Sequence, residues 1–156
     1  MKSFLPILLS LFAASSAGWA ADGSAELAVV VNKSRAPETA DLEELRQMIL
    51  GNRLKWRDGQ NVVAVQTPAD SPERVLMMKT VFKMNEAALK RYYMFAVFNG
   101  KDVVLPKDVA SSAALKKFVA STPGAVGCIL ATEIDESVKV LKVDGAAPGE
   151  PGYKLR

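Results

Sequence analysis

TPADSPERVLMM, from Thr67 to Met78, gathers hydroxyls, carboxylates and one guanidinium where a β-type run, NVVAVQ, gives way to a helical pattern. A helix start offers free backbone N–H groups and the positive end of the dipole, which together attract anions. Ser71 can add a hydroxyl, Thr67 lies just before it, and Arg74 brings positive charge. The same residues also read as an ordinary helix start, with Ser71 as N-cap, Pro72 at the first position and Glu73 in the first turn. Pro72 removes one N–H donor. Asp70 and Glu73 put negative charge where an anion would sit, at a cost on the order of 1 kcal/mol each. A protonated oxyanion can offset part of this by donating to Asp70.

The second candidate is NKSR, where Asn32, Lys33, Ser34 and Arg35 follow an apolar run. Loops at the carboxyl ends of strands line the ligand crevices of open α/β sheets, so this loop is expected to face the same edge as Ser71. A solvated basic loop is the plainer reading.

Other chemistry is narrowed by what is missing. The chain has no histidine, which removes Ser–His and Cys–His nucleophiles and every His-ligated metal site. Its one cysteine, Cys128, lies in the apolar run AVGCIL and reads as a buried, inert thiol, and a single cysteine forms no internal disulfide. Twenty basic and 17 acidic residues are interleaved for a net charge of +3, too weak a field for nucleic acid or acidic lipid. No enzyme, cofactor or metal is expected.

The elements that must carry these residues follow from local pattern. Residues 1–20, MKSFLPILLSLFAASSAGWA, combine Lys2, a short apolar core and small residues at Gly18 and Ala20, as in a secretory signal peptide cut before Ala21. The apolar core is shorter than the roughly 20 residues that span a membrane. The exported chain is therefore expected in the periplasm, with no later span. LAVVVN (27–32) is a β-rich run suited to a strand buried on both faces. Asp41, with Glu44 three positions on, starts a helix with Leu42, Leu45 and Ile49 inward, and Gly51 ends it. Val62 to Gln66 reads as the second strand. A helix from Pro72 follows, with Val75, Met78 and Phe82 at helical spacing. After a break at Asn85 comes another helix, with Leu89, Tyr92, Tyr93 and Ala96 inward. Ser111 or Ser112 starts a short helix with Leu115, Phe118 and Val119 inward, STPGAVGCILA is a turn and third strand, and Val138–Val143 is a fourth. Residues 21–145 thus form one α/β domain with a mostly parallel sheet flanked by helices, and 146–156 a Gly/Pro-rich irregular tail.

The order of these signals resembles the C-terminal part of the periplasmic phosphate-binding proteins of ABC importers, within the type 2 periplasmic binding protein fold. The matching stretches are AVVVNKS (28–34), LEELRQMILGNRLKW (42–56), NVVAVQTPADSPERVL (61–76), STPGAVGC (121–128) and VLKVDGAAP with the terminal YKLR. The resemblance implies a single lobe of a two-lobed binder that holds its anion in a cleft. The ligand groups that the family's first lobe supplies are then expected to be missing. Where that family carries Ser-Gly-Thr at the helix start, this chain has Asp70-Ser71-Pro72, and Cys128 replaces a usual aromatic.

The expected ligand is phosphate or another small anion, bound by Asn32, Ser34, Thr67, Asp70, Ser71 and Arg74, with a second subunit able to complete the cleft. The alternative is an envelope adaptor that kept the fold, lost the ligand and docks on another protein.

Overall fold

The computed structural model describes residues 25–34 and 39–156. The expected signal peptide and Arg35 lie outside them. The elements in chain order are β1 (Leu27–Val31), β2 (Thr39–Ala40), α1 (Leu42–Ile49), β3 (Val63–Gln66), α2 (Pro72–Met77), α3 (Glu86–Phe98), β4 (Lys107–Asp108), α4 (Ser112–Ser121), β5 (Ala125–Leu130) and β6 (Lys139–Val143). A π-helical turn, Met78–Phe82, continues α2.

Each helix starts where a side chain satisfies a free N–H group. Asp41 accepts from the Glu44 N–H at 2.7 Å, Asn85 from Ala88 at 2.8 Å, Ser111 from Ala114 at 3.2 Å and Ser71 from Arg74 at 3.3 Å. The capping box at Asp41 is one-sided, because the Glu44 carboxylate turns away to Arg57 at 2.6 Å and Arg53 at 3.1 Å.

The sheet has six strands in the order β2-β6-β1-β5-β3-β4. Pairings β2–β6, β5–β3 and β3–β4 are parallel. β1 runs antiparallel to both of its neighbours, β5 and β6, so the other five strands share one direction. The central strand is buried at every position. Its alternate residues feed two cores. Leu27, Val29 and Val31 face a cluster built with Leu45, Met48, Met77, Val81 and Phe82, whereas Ala28 and Val30 face Leu115 and Val119 of α4. Gly127 on β5 makes the second packing possible: a Cβ there would lie 2.8 Å from Leu115 Cδ2.

Two expectations change in three dimensions. Val75 is exposed, and the inward stripe is Arg74, Met77, Met78 and Val81, one position out of phase with the spacing that begins at Val75. The widened π turn from Met78 re-aims the chain so that Phe82 still reaches the core. The tail has no helix or strand, yet Tyr153 and Leu155 are buried beside β1. Leu27 N–H donates to the Leu155 carbonyl at 2.8 Å, and the Tyr153 hydroxyl donates to the Leu27 carbonyl.

Candidate functional site

The carboxyl ends of β3 and β4 bring Gln66 and Asp108 together, and α2 leaves this edge through Thr67 and Ser71. Thr67 is buried, and its Oγ1 lies 2.7 Å from Ser71 Oγ. Ser71 Oγ also accepts from the Arg74 N–H at 3.3 Å. The expected trio of Thr67, Ser71 and Arg74 is thus assembled, but as a cap whose polar groups serve one another. Asp70 is exposed at the mouth of this turn, and Glu73, in the first turn of α2, is buried.

Arg74 holds the centre. Its side chain is 5% exposed and forks onto Glu86, with Nε 2.6 Å from Oε1 and Nη2 3.0 Å from Oε2. Nη1 donates to Gln66 Oε1, and Gln66 Nε2 donates to Asp108 Oδ1 at 2.7 Å. Asp108, Gln66, Arg74 and Glu86 therefore form one chain of hydrogen bonds from β4 to α3. Planar bidentate pairing suits a guanidinium for a carboxylate, and equally for a phosphate.

A cavity of about 350 Å³ opens beside this chain, walled by Gln66, Arg74, Glu86 and Asp108 and by Tyr93, Met94 and Leu105, among others. Its size is at the lower end for a small-molecule site. The Tyr93 hydroxyl is buried without a hydrogen-bond partner among the described residues. Burial pushes it up to about 12 against the pull of Arg74, so it stays protonated, a donor with nothing to donate to. Burial likewise pushes the Cys128 thiol up to about 12, which makes it a poor nucleophile. Among the described residues no three His, Cys, Asp or Glu side chains are grouped to hold a metal.

Asn32 and Ser34 are not part of this site. Because β1 runs against β5 and β3, Val31 pairs with Val126, which pairs with Ala64 near the start of β3. The loop after β1 therefore emerges at the opposite edge of the sheet from Thr67. Asn32 has its own task there: Nδ2 donates to the Val119 and Ala120 carbonyls, both at 2.9 Å, closing the end of α4. Its Oδ1 accepts from the Ser34 N–H at 3.0 Å and from Ser34 Oγ at 2.7 Å.

Sequence reasoning missed Gln66, Glu86, Tyr93 and Asp108. A partial signal existed for two of them, since Glu86 and Tyr93 lie seven positions apart on one helical face with Leu89 between. Their approach to Arg74 depends on how α3 folds back.

No protein-family model matches the chain. Solved structures do. An ABC-type phosphate transport receptor from Vibrio cholerae is similar over 80% of this chain and 49% of its own, at 24% identity and a TM-score of 0.64. A phosphate ABC transporter substrate-binding protein with bound phosphate, from Clostridium perfringens, matches over 78% and 46%, at 19% identity and a TM-score of 0.63. The PstS protein of Borrelia burgdorferi matches over 80% and 49%, at 13% identity and a TM-score of 0.61. The chain thus spans about half the length of these proteins and shares the fold of that part. Among the described residues no helix is long and apolar enough to cross a membrane.

Proposed function

We propose that this chain is a periplasmic solute-binding-protein-like domain, exported through residues 1–20, that takes phosphate or another small anion at Arg74. The observation that carries the reading is a guanidinium 5% exposed at the carboxyl edge of β3, forked onto a carboxylate beside an open cavity. Glu86, 41% exposed, occupies the position that a ligand oxyanion would take. Binding is then an exchange in which the ligand replaces Glu86 on Arg74. Thr67 and Ser71 hold the turn that presents Arg74, and Asp70 at its mouth accepts from a protonated oxygen of the ligand. The solved phosphate-binding structures support the fold of this reading.

The test is a thermal melt with and without millimolar phosphate at constant ionic strength. A ligand that binds only the folded chain raises the melting temperature. Arg74→Met is expected to abolish the rise. Wild-type protein that ignores phosphate, sulfate and a simple carboxylate alike would sink the reading.

The adaptor reading is favoured by a different observation, the exposed apolar side of α3 with Phe95 and Phe98. It is preferred if no anion shifts the melt and the protein is nevertheless retained by a defined envelope partner.

A further inference from the structure

α3 is apolar on both of its sides. Leu89 and Ala96 are buried against the domain with Tyr92 and Tyr93 half-buried, while Met94, Phe95, Val97 and Phe98 point outward. A helix that is apolar all round is normally buried on all sides. Phe95 is 68% exposed and Phe98 85%. Aromatic side chains carry about 150–250 Å² each, so these two rings alone leave roughly 300 Å² uncovered. Val104 and Leu105 extend the face, since Leu105 and Met94 share a wall of the Arg74 cavity. The whole face is on the order of 600 Å², at the upper limit for the largest patch on a monomer, and most of the roughly 800 Å² each partner buries in a stable interface.

We infer that this face pairs with the same face of a second copy of the chain, the two α3 helices antiparallel about a two-fold axis between Met94 and Phe95. The layout of α3 is self-complementary in that arrangement. Lys90 and Arg91 are exposed before the apolar stretch and form no ion pair among the described residues. The last turn has no basic residue, and a cation near the negative end of the helix dipole is favourable. The two-fold axis sets Met94 against Phe95 of the second copy, Arg91 against its Phe98 ring, and Lys90 against its Asn99 at the helix end. Arg91 gains an aromatic face and Lys90 the negative end of the helix dipole. Met94 and Leu105 line the Arg74 cavity, so the second copy also roofs it.

The inference stands whether or not Arg74 takes an anion, and mass measurement separates the two. Full-length chain, expressed with its own export segment and purified as the cell delivers it, is weighed by light scattering and sedimentation from about 1 to 100 µM, the range that reports micromolar dissociation constants. Twice the chain mass is expected, with association at least tenfold weaker in Phe98→Asp and in Arg91→Glu. Val75→Asp is the control, because Val75 is also exposed but lies on α2. Far-UV circular dichroism establishes that each variant is folded, and Arg91→Glu, a surface change, decides the matter if Phe98→Asp is not. Monomeric wild type at the highest concentration overturns the proposal, as does a dimer indifferent to both α3 changes. Monomer that instead sediments with phosphatidylglycerol vesicles overturns it in favour of a membrane surface.

Discussion

Replacing Glu86 with Gln tests the centre of the site most directly. The change keeps shape and removes charge, leaving the Arg74 guanidinium, 5% exposed, with only neutral acceptors and an amide NH2 facing one of its N–H groups. Breaking a fully buried pair costs about 3–5 kcal/mol. Glu86 is 41% exposed, so water screens part of the loss, and about 2 kcal/mol is the better figure. For a domain of this size that lowers the melting temperature by roughly 7 °C. The second half of the prediction has the opposite sign. With no carboxylate to displace, phosphate binds Glu86→Gln more tightly than wild type, and a concentration 100 times Kd restores about 2.7 kcal/mol. The assay is calorimetric or fluorescence melting of both proteins across a phosphate series, with chloride at matched ionic strength as control. Glu86→Gln that melts with wild type would refute the buried pair. Glu86→Gln that melts lower but gains nothing from phosphate would refute the exchange.

Asn32→Ala should destabilise by about 1–3 kcal/mol through the two freed α4 carbonyls, and leave any phosphate response intact, as urea titration with and without phosphate would reveal. Gly127→Ala should cost about 1–3 kcal/mol by the same titration, because the new Cβ meets Leu115 and Val65 at 2.8 and 3.0 Å. Removal of residues 153–156 should cost about 3–5 kcal/mol, since buried Tyr153 and Leu155 leave a void beside β1; a melt unchanged by the truncation would contradict this. Alkaline pH should also weaken the fold. Burial raises Cys128 from 9.0 and Tyr93 from 10.0, each to about 12, and raises Tyr153 as well. Above pH 9.0 the folded chain therefore holds more protons than the unfolded one. The stabilisation is fully present below pH 9.0 and is lost as pH rises toward 12, at up to about 1.4 kcal/mol per unit per group. A melting temperature flat from pH 9 to 11 would contradict it.

The elements were largely legible because their signals are local. Asp41, Ser71, Asn85 and Ser111 each accept from an N–H three residues on, a bond written entirely within one turn of chain. The β-rich runs at Leu27, Val63 and Ala125 mark buried strands by composition alone. The mixed α/β class and the likeness to phosphate-binding folds follow from the order of such pieces. The two-residue strands β2 and β4 carry no pattern of their own and exist only as edges paired to β6 and β3.

The site was legible only in part, for the same reason. Thr67, Ser71 and Arg74 are close in sequence, and their meeting is a property of one turn. Which way β1 points is settled by pairing with β5 and β6, about a hundred residues away, and that direction carries Asn32 and Ser34 to the far edge. Arg74 has its partner in Glu86 because the start of α3 comes back beside α2, and the tail is core because Tyr153 reaches Leu27 over 126 residues. Capping, periodicity and charge are set by neighbours along the chain. Strand direction, ion-pair partners and the face left uncovered on α3 come from contacts between distant segments, and these were decided by the tertiary structure.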